Sequence, residues 1–155
     1  MIKLKDILFE AKAPSIFIPR RTEDRLERLI KQYIRNGSKG DLSLNSMNLK
    51  KLPEILNGIT IHGNFYFYDN KLTTLKNSPK IVLGYFSCRS NKLTSLIGGP
   101  EYVEFFDCRN NQLTSLKGAP EIVGGFDCSF NKKQFTTEDV KAVCTVNGRI
   151  YVWLN

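Results

Sequence analysis

The chain has 155 residues with 41% hydrophobic and 11% aromatic content, enough for one domain with a packed core and too much for a disordered chain. No apolar run approaches the roughly 18–20 residues of a membrane span, and Lys3, Lys5 and Asp6 interrupt the N-terminal apolar stretch, which argues against a secretory signal peptide. The net charge of +8 is uneven: residues 1–40 hold ten Lys/Arg against five Asp/Glu, a basic segment suited to an acidic partner or nucleic acid, with a solvated helix face as the plain alternative.

In chain order, Met1 to Ala11 places Leu4, Ile7, Leu8 and Ala11 on one face of a helix. This segment resembles the capsid-targeting sequences of internal head proteins in T-even-like bacteriophages. Leu8-Phe9-Glu10 followed by Ala11 matches the apolar-x-Glu site cut by the prohead protease of such phages. The resemblance implies that residues 1–10 are a targeting helix, removed in the head, and that the mature protein is injected with the DNA. The alternative is a plain N-terminal helix packed on the rest of the fold.

Residues 11–40 form a linker and an amphipathic capping helix. Thr22 reads as its N-cap, Glu23 and Asp24 suit the first turn, and Leu26, Leu29, Ile30, Tyr33 and Ile34 recur at helical spacing. Asn36-Gly37 ends it. Arg25, Arg28, Lys31 and Arg35 are expected in water.

Residues 41–135 are dominated by self-similarity. Phe65 to Leu75, Phe86 to Leu96 and Phe106 to Leu116 are three close copies; Leu42 to Leu52 is a divergent first copy, and the copy starting at Phe126 decays after Asn131. The repeated asparagines are Asn70, Asn91, Asn111 and Asn131, a period of 21, 20 and 20, and Pro79, Pro100 and Pro120 follow the first three. The pattern resembles the leucine-rich repeat L-x-L-x-x-N-x-L, with Phe and Cys in place of the strand leucines. Met47 stands where the first copy should have Asn.

The fold class expected is therefore a leucine-rich-repeat solenoid, β-rich α/β, with parallel strands in about five rungs between a helical N-terminal cap and a helix-strand C-terminal cap. Four inward columns follow: Leu42, Phe65, Phe86, Phe106, Phe126; Leu44, Phe67, Cys88, Cys108, Cys128; Leu49, Leu72, Leu93, Leu113; and Leu52, Leu75, Leu96, Leu116. The Asn side chains are expected to satisfy inward-facing backbone groups of the turns.

Residues 136–155 read as a C-terminal cap. Thr136-Thr-Glu-Asp139 resembles a capping start, Val140, Val143 and Cys144 mark a short helix, and Asn147-Gly148 is a turn signal before the strand-like Ile150–Leu154. Trp153 reads as a cap residue.

Alternation along the strands puts Tyr66, Ser87, Asp107 and Asp127 outward, next to Tyr68, Arg89, Arg109 and Ser129, with Asn64, Tyr85, Phe105 and Gly125 flanking them. Tyr66, Tyr68, Tyr85, Arg89, Phe105, Asp107, Arg109 and Asp127 are thus the candidate partner-binding residues of a concave face, because Tyr and Arg are enriched at binding hot spots. The bland alternative is that strands favour aromatics anyway and that the Asp and Arg columns pair with each other.

Catalysis has little to build on. His62 is the sole histidine and falls where the repeat expects an apolar position, so it reads as a partly buried structural residue. Cys88, Cys108, Cys128 and Cys144 lack zinc-site spacing and read as free thiols filling the core of a protein from a reducing, cytoplasmic compartment or a phage head. No phosphate-binding glycine loop is present. The expectation is a non-catalytic protein-binding scaffold without cofactor, metal, membrane or small-molecule substrate, as a phage head protein or host-directed effector. The alternative is nucleic-acid binding through the basic N-terminal helix.

Overall fold

The computed structural model describes residues 21–152, so the 1–10 segment, its Leu8–Ala11 cleavage site, Trp153 and Leu154 lie outside the described residues.

Helix α1 spans Arg21–Arg35 and so already includes Thr22, which lies within the helix and not before it. Gly37, at φ 78°, closes the helix: its N–H donates to Ile34 O at 2.9 Å and the Ser38 N–H donates to Tyr33 O at 3.1 Å. This paired 5→2 and 6→1 closure needs a left-handed residue, the conformation glycine adopts without a Cβ penalty. Ile30 is fully buried and Leu26, Tyr33 and Ile34 pack beside it, but Leu29 is 47% exposed, against expectation. Leu29 sits at the edge of the apolar arc, and the helix meets the solenoid only along a narrow stripe that includes the 3₁₀ turn Glu54–Leu56. The helix cations Arg25, Arg28, Lys31 and Arg35 are exposed.

Every strand pairing is parallel. β1 (Leu42–Ser43), β3 (Phe65–Tyr66), β4 (Ile81–Ser87), β5 (Tyr102–Asp107) and β6 (Ile122–Asp127) stack in sequence order. β2 (Thr60–Ile61) pairs with the first half of β4, so β2 and β3 are two halves of one rung. β7 (Thr145–Val146) and β8 (Ile150–Tyr151) pair with the two halves of β6 in the same way. The C-terminal segment is therefore another rung of the solenoid, which makes about five turns. Asn147-Gly148 does not reverse the chain; it bends one strand in the middle.

That bend recurs in each rung and the period-two reading missed it. In β5, Glu104 and Phe105 are consecutive outward residues between the fully buried Val103 and Phe106. Glycines gather there because neighbouring backbones come close. A Cβ on Gly148 would collide with the Gly124 carbonyl, and one on Gly63 with the Gly40 carbonyl. One residue fewer at the bend of β5 than of β4 shortens the repeat from 21 to 20 residues, seen as a register shift between Val82 and Tyr85.

The expected inward columns fill the core. Phe65, Phe67, Phe86, Phe106 and Phe126 have no exposed surface, and Phe106 stacks between Phe86 and Phe126 at ring distances of 5.0 and 5.3 Å. The asparagines form the polar spine of the stack. Asn111 accepts from the Leu93 N–H at 3.0 Å and donates to Cys88 O and Cys108 O at 3.0 and 3.1 Å. Asn70, Asn91 and Asn131 repeat this bonding, so each ties its own turn to the rung before it. Met47, at the missing Asn position, is 43% exposed.

Two further residues differ from the sequence reading. His62 is exposed, because Ile61 and Phe65 take the inward positions and His62 lies at the bend, level with Leu83 and Glu104. At the other end, Thr136 caps α2 (Thr137–Lys141) through a reciprocal box with Asp139, but the helix stops before Val143, which is 42% exposed, while Val140 and Cys144 are buried.

Candidate functional site

The outer face of the strands carries a row of aromatic rings. Tyr66 lies 6.4 Å from Tyr68 and 6.0 Å from Tyr85; Tyr85 stacks on Phe105 at 4.7 Å with 6° between planes; Phe105 lies 6.1 Å from Tyr151. The Arg89 guanidinium sits 4.5 Å from the Tyr68 ring centroid. The Phe105 ring lies over Gly125, its register partner, where a Cβ would meet the ring at 2.6 Å, and from there approaches Tyr151, which pairs with Asp127. Each ring is half-buried by its neighbours, so Tyr66, Tyr68, Tyr85 and Phe105 present edges and partial faces, with Tyr151 the most exposed of the row at 43%.

The carboxylates are placed differently from the open face expected. Asp107 is 1% and Asp127 7% exposed. They share a column with Tyr66 and Tyr151 and lie in a trough between the Tyr85 and Phe105 column and the Arg109 and Ser129 column. Asp107 accepts from Tyr85 Oη and Ser87 Oγ, both at 3.2 Å, and Arg109 Nε lies 3.2 Å from Asp107 Oδ1. Asp127 accepts from Ser129 Oγ at 2.7 Å, with Arg109 at 3.6 Å. One guanidinium thus faces two buried carboxylates. Burial holds the Asp107 carboxyl above the usual range, opposed first by the Arg109 charge. The Tyr85 hydroxyl is raised by burial and by the negative charge of Asp107. Asp107, Arg109 and Asp127 are therefore an internally paired group that fixes the trough, and removing Arg109 would leave buried charge uncompensated.

Around the bend, the first halves of the strands expose an apolar surface that the sequence reading did not include. Leu83 is 50%, Tyr102 38% and Ile122 46% exposed, with Ile81 half-buried in the same column as Tyr102 and Ile122. Their signal was present: Ile81, Tyr102 and Ile122 each precede an inward Val by one residue. Tyr151 was hidden because its rung was not recognised as a repeat.

The cysteine column faces away from this surface. Cys88 and Cys108 donate through Sγ to Asp107 O and Asp127 O of the next rung, both at 3.4 Å. Burial pushes both thiols well above their ordinary range, Cys128 up to about 12 and Cys144 to about 11, so the reactive thiolate is suppressed at neutral pH.

An open groove of about 220 Å³ between the last turn and α2, lined by Leu116, Phe135 and Val143, is below the size typical of small-molecule sites. Among the described residues no cluster of three His, Cys, Asp or Glu could hold a metal ion, and no helix is long and apolar enough to cross a membrane. No family model, curated protein or solved structure matches the chain.

Proposed function

We propose that the chain is a non-catalytic, leucine-rich-repeat scaffold that binds a protein partner on the outer face of its strands. The observation that carries this reading is a pair of exposed strips on either side of the bend, Leu83, Tyr102 and Ile122 on the first halves of the strands and the aromatic row from Tyr66 and Tyr68 through Tyr85 and Phe105 to Tyr151 on the second, with Glu104 between them. Exposed apolar surface gathered on one face is costly in water unless a partner covers it, whereas scattered apolar residues are ordinary. Tyr, Phe and Arg offer large contact area with little side-chain entropy to lose.

The test compares the full chain with a Tyr68→Ala, Tyr102→Ala, Ile122→Ser variant as bait in nuclease-treated lysate. All three side chains point outward, so the variant keeps the parent's melting behaviour. A defined protein held by the parent and lost by the variant supports the reading; equal retention by both contradicts the strand-face assignment.

The resemblance of residues 1–11 to a capsid-targeting sequence favours a phage head protein, delivered to the host with the DNA, as the setting for that interaction. Protein isolated from mature particles should begin at Ala11, read by N-terminal sequencing; an intact Met1 in those particles rejects this setting.

A further inference from the structure

The opposite kind of surface runs along the turns. Segments 70–79, 91–100 and 111–120 contain four lysines and no carboxylate, whereas the strand segments carry the acids Glu101, Glu104 and Glu121. The turns stack as regularly as the strands. Lys71 N donates to Leu49 O, Lys92 N to Leu72 O, Gln112 N to Leu93 O and Lys133 N to Leu113 O, at 2.8 to 2.9 Å. Lys50, Lys71, Lys76, Lys92, Lys117 and Lys132 lie along these stacked turns, all exposed and without an ion pair among the described residues, while Lys133, in register with Lys71 and Lys92, pairs with Asp139, and Glu54 and Glu138 mark the two ends. Exposed Thr73, Thr94 and Thr114 form a hydroxyl column between them. Helix α1 packs on the 3₁₀ turn of the first rung, which sets the exposed Arg25 and Arg35 at the same end.

We propose that this ridge binds nucleic acid along its phosphate backbone, without reading base sequence. Lysine ammonium groups and threonine hydroxyls are donors suited to phosphate oxygens, and neither selects a base in this setting. Five turns spaced by about 4.8 Å span roughly 19 Å. A duplex presents on the order of ten phosphate charges over that length, so several lysines engage at once. Mutual repulsion of the lysines along a shared ridge is relieved by such a polyanion. The ridge and the strand face are separate surfaces, so this inference does not depend on the protein-binding reading.

The experiment is fluorescence anisotropy of the full chain with a labelled 20-base-pair duplex of random sequence between about 50 and 200 mM salt, the range over which phosphate binding changes most clearly. Binding should weaken steeply with salt and be indifferent to base sequence. A Lys71→Gln, Lys92→Gln, Lys117→Gln variant should lower the slope of log K against log salt by about 2.7, at 0.9 per lost contact. The matching Lys→Arg variant should keep the parent slope. No binding at the lowest salt, an unchanged slope in the Gln variant, or binding to phosphatidylserine vesicles but not to the duplex overturns the proposal.

Discussion

Replacing Asn111 with Ala should lower the free energy of unfolding by about 2–3 kcal/mol, measured by urea denaturation. The side chain makes four bonds in the middle of the stack: it accepts from Leu93 N–H and donates to Cys88 O, Cys108 O and, more weakly, Arg109 O. Ala removes the acceptor of the buried Leu93 N–H, which costs about 1–3 kcal/mol, and takes one of two donors from each carbonyl, since Asn91 still reaches Cys88 O and Asn131 still reaches Cys108 O. Partial access of water moderates the sum. The loss should exceed that of Asn131→Ala, because Asn131 is only half-buried near the end of the stack. A loss below about 1 kcal/mol at Asn111 would mean that the asparagine spine is not what couples one turn to the next.

Phe106→Ala should be of comparable severity, at about 3–5 kcal/mol, the range for emptying an aromatic core site. Phe106 has no exposed surface and stacks on both Phe86 and Phe126, so the cavity cannot close without moving two further rungs. Its chain neighbour Phe105 provides the internal comparison. That ring lies on the outer face against Tyr85, and Phe105→Ala should cost clearly less, about 1–2 kcal/mol from stacking and partial burial. Thermal or urea melts of the two variants decide which of the adjacent rings faces inward. Equal losses would contradict the bend that gives Glu104 and Phe105 the same outward sense.

The repeat made the architecture legible. Phe65, Phe86, Phe106 and Phe126 recur with the asparagines at a fixed offset, and only stacked parallel rungs put both sets inside. The N-terminal helix was equally readable, since its apolar spacing and Gly37 stop are local signals. The bend was not legible, because strict alternation assumes a straight strand and two successive outward residues defeat it. His62 stands eight residues before Asn70, the offset that Val103 and Val123 have from their own asparagines, but the extra residue at the bend of its rung gives that inward place to Ile61. The last rung was hidden by the inserted α2, which stretches the spacing between Val123 and its partner Val146 beyond the repeat length.

The proposed binding face was legible only in part. Tyr66, Tyr68, Tyr85, Phe105 and Arg89 were identified from alternation, and the structure brings them into one row. Asp107, Asp127 and Arg109 come from the same argument but turn toward one another and are largely withdrawn from the surface. Alternation says which side of a sheet a residue occupies; it does not say whether its neighbours are tall enough to bury it. Here Tyr85 and Arg109 flank the short aspartates and close over them.

The measurement that bears most directly on the central claim is calorimetric titration of the captured partner protein into three chains: the parent, the Tyr68→Ala, Tyr102→Ala, Ile122→Ser variant, and the lysine-ridge variant. Binding through the outer face of the strands predicts that the first variant loses affinity by a hundredfold or more, on the order of 3 kcal/mol for three contact residues, while the ridge variant matches the parent. Full affinity in the strand-face variant, with loss in the ridge variant, would contradict it and move the partner site to the turns.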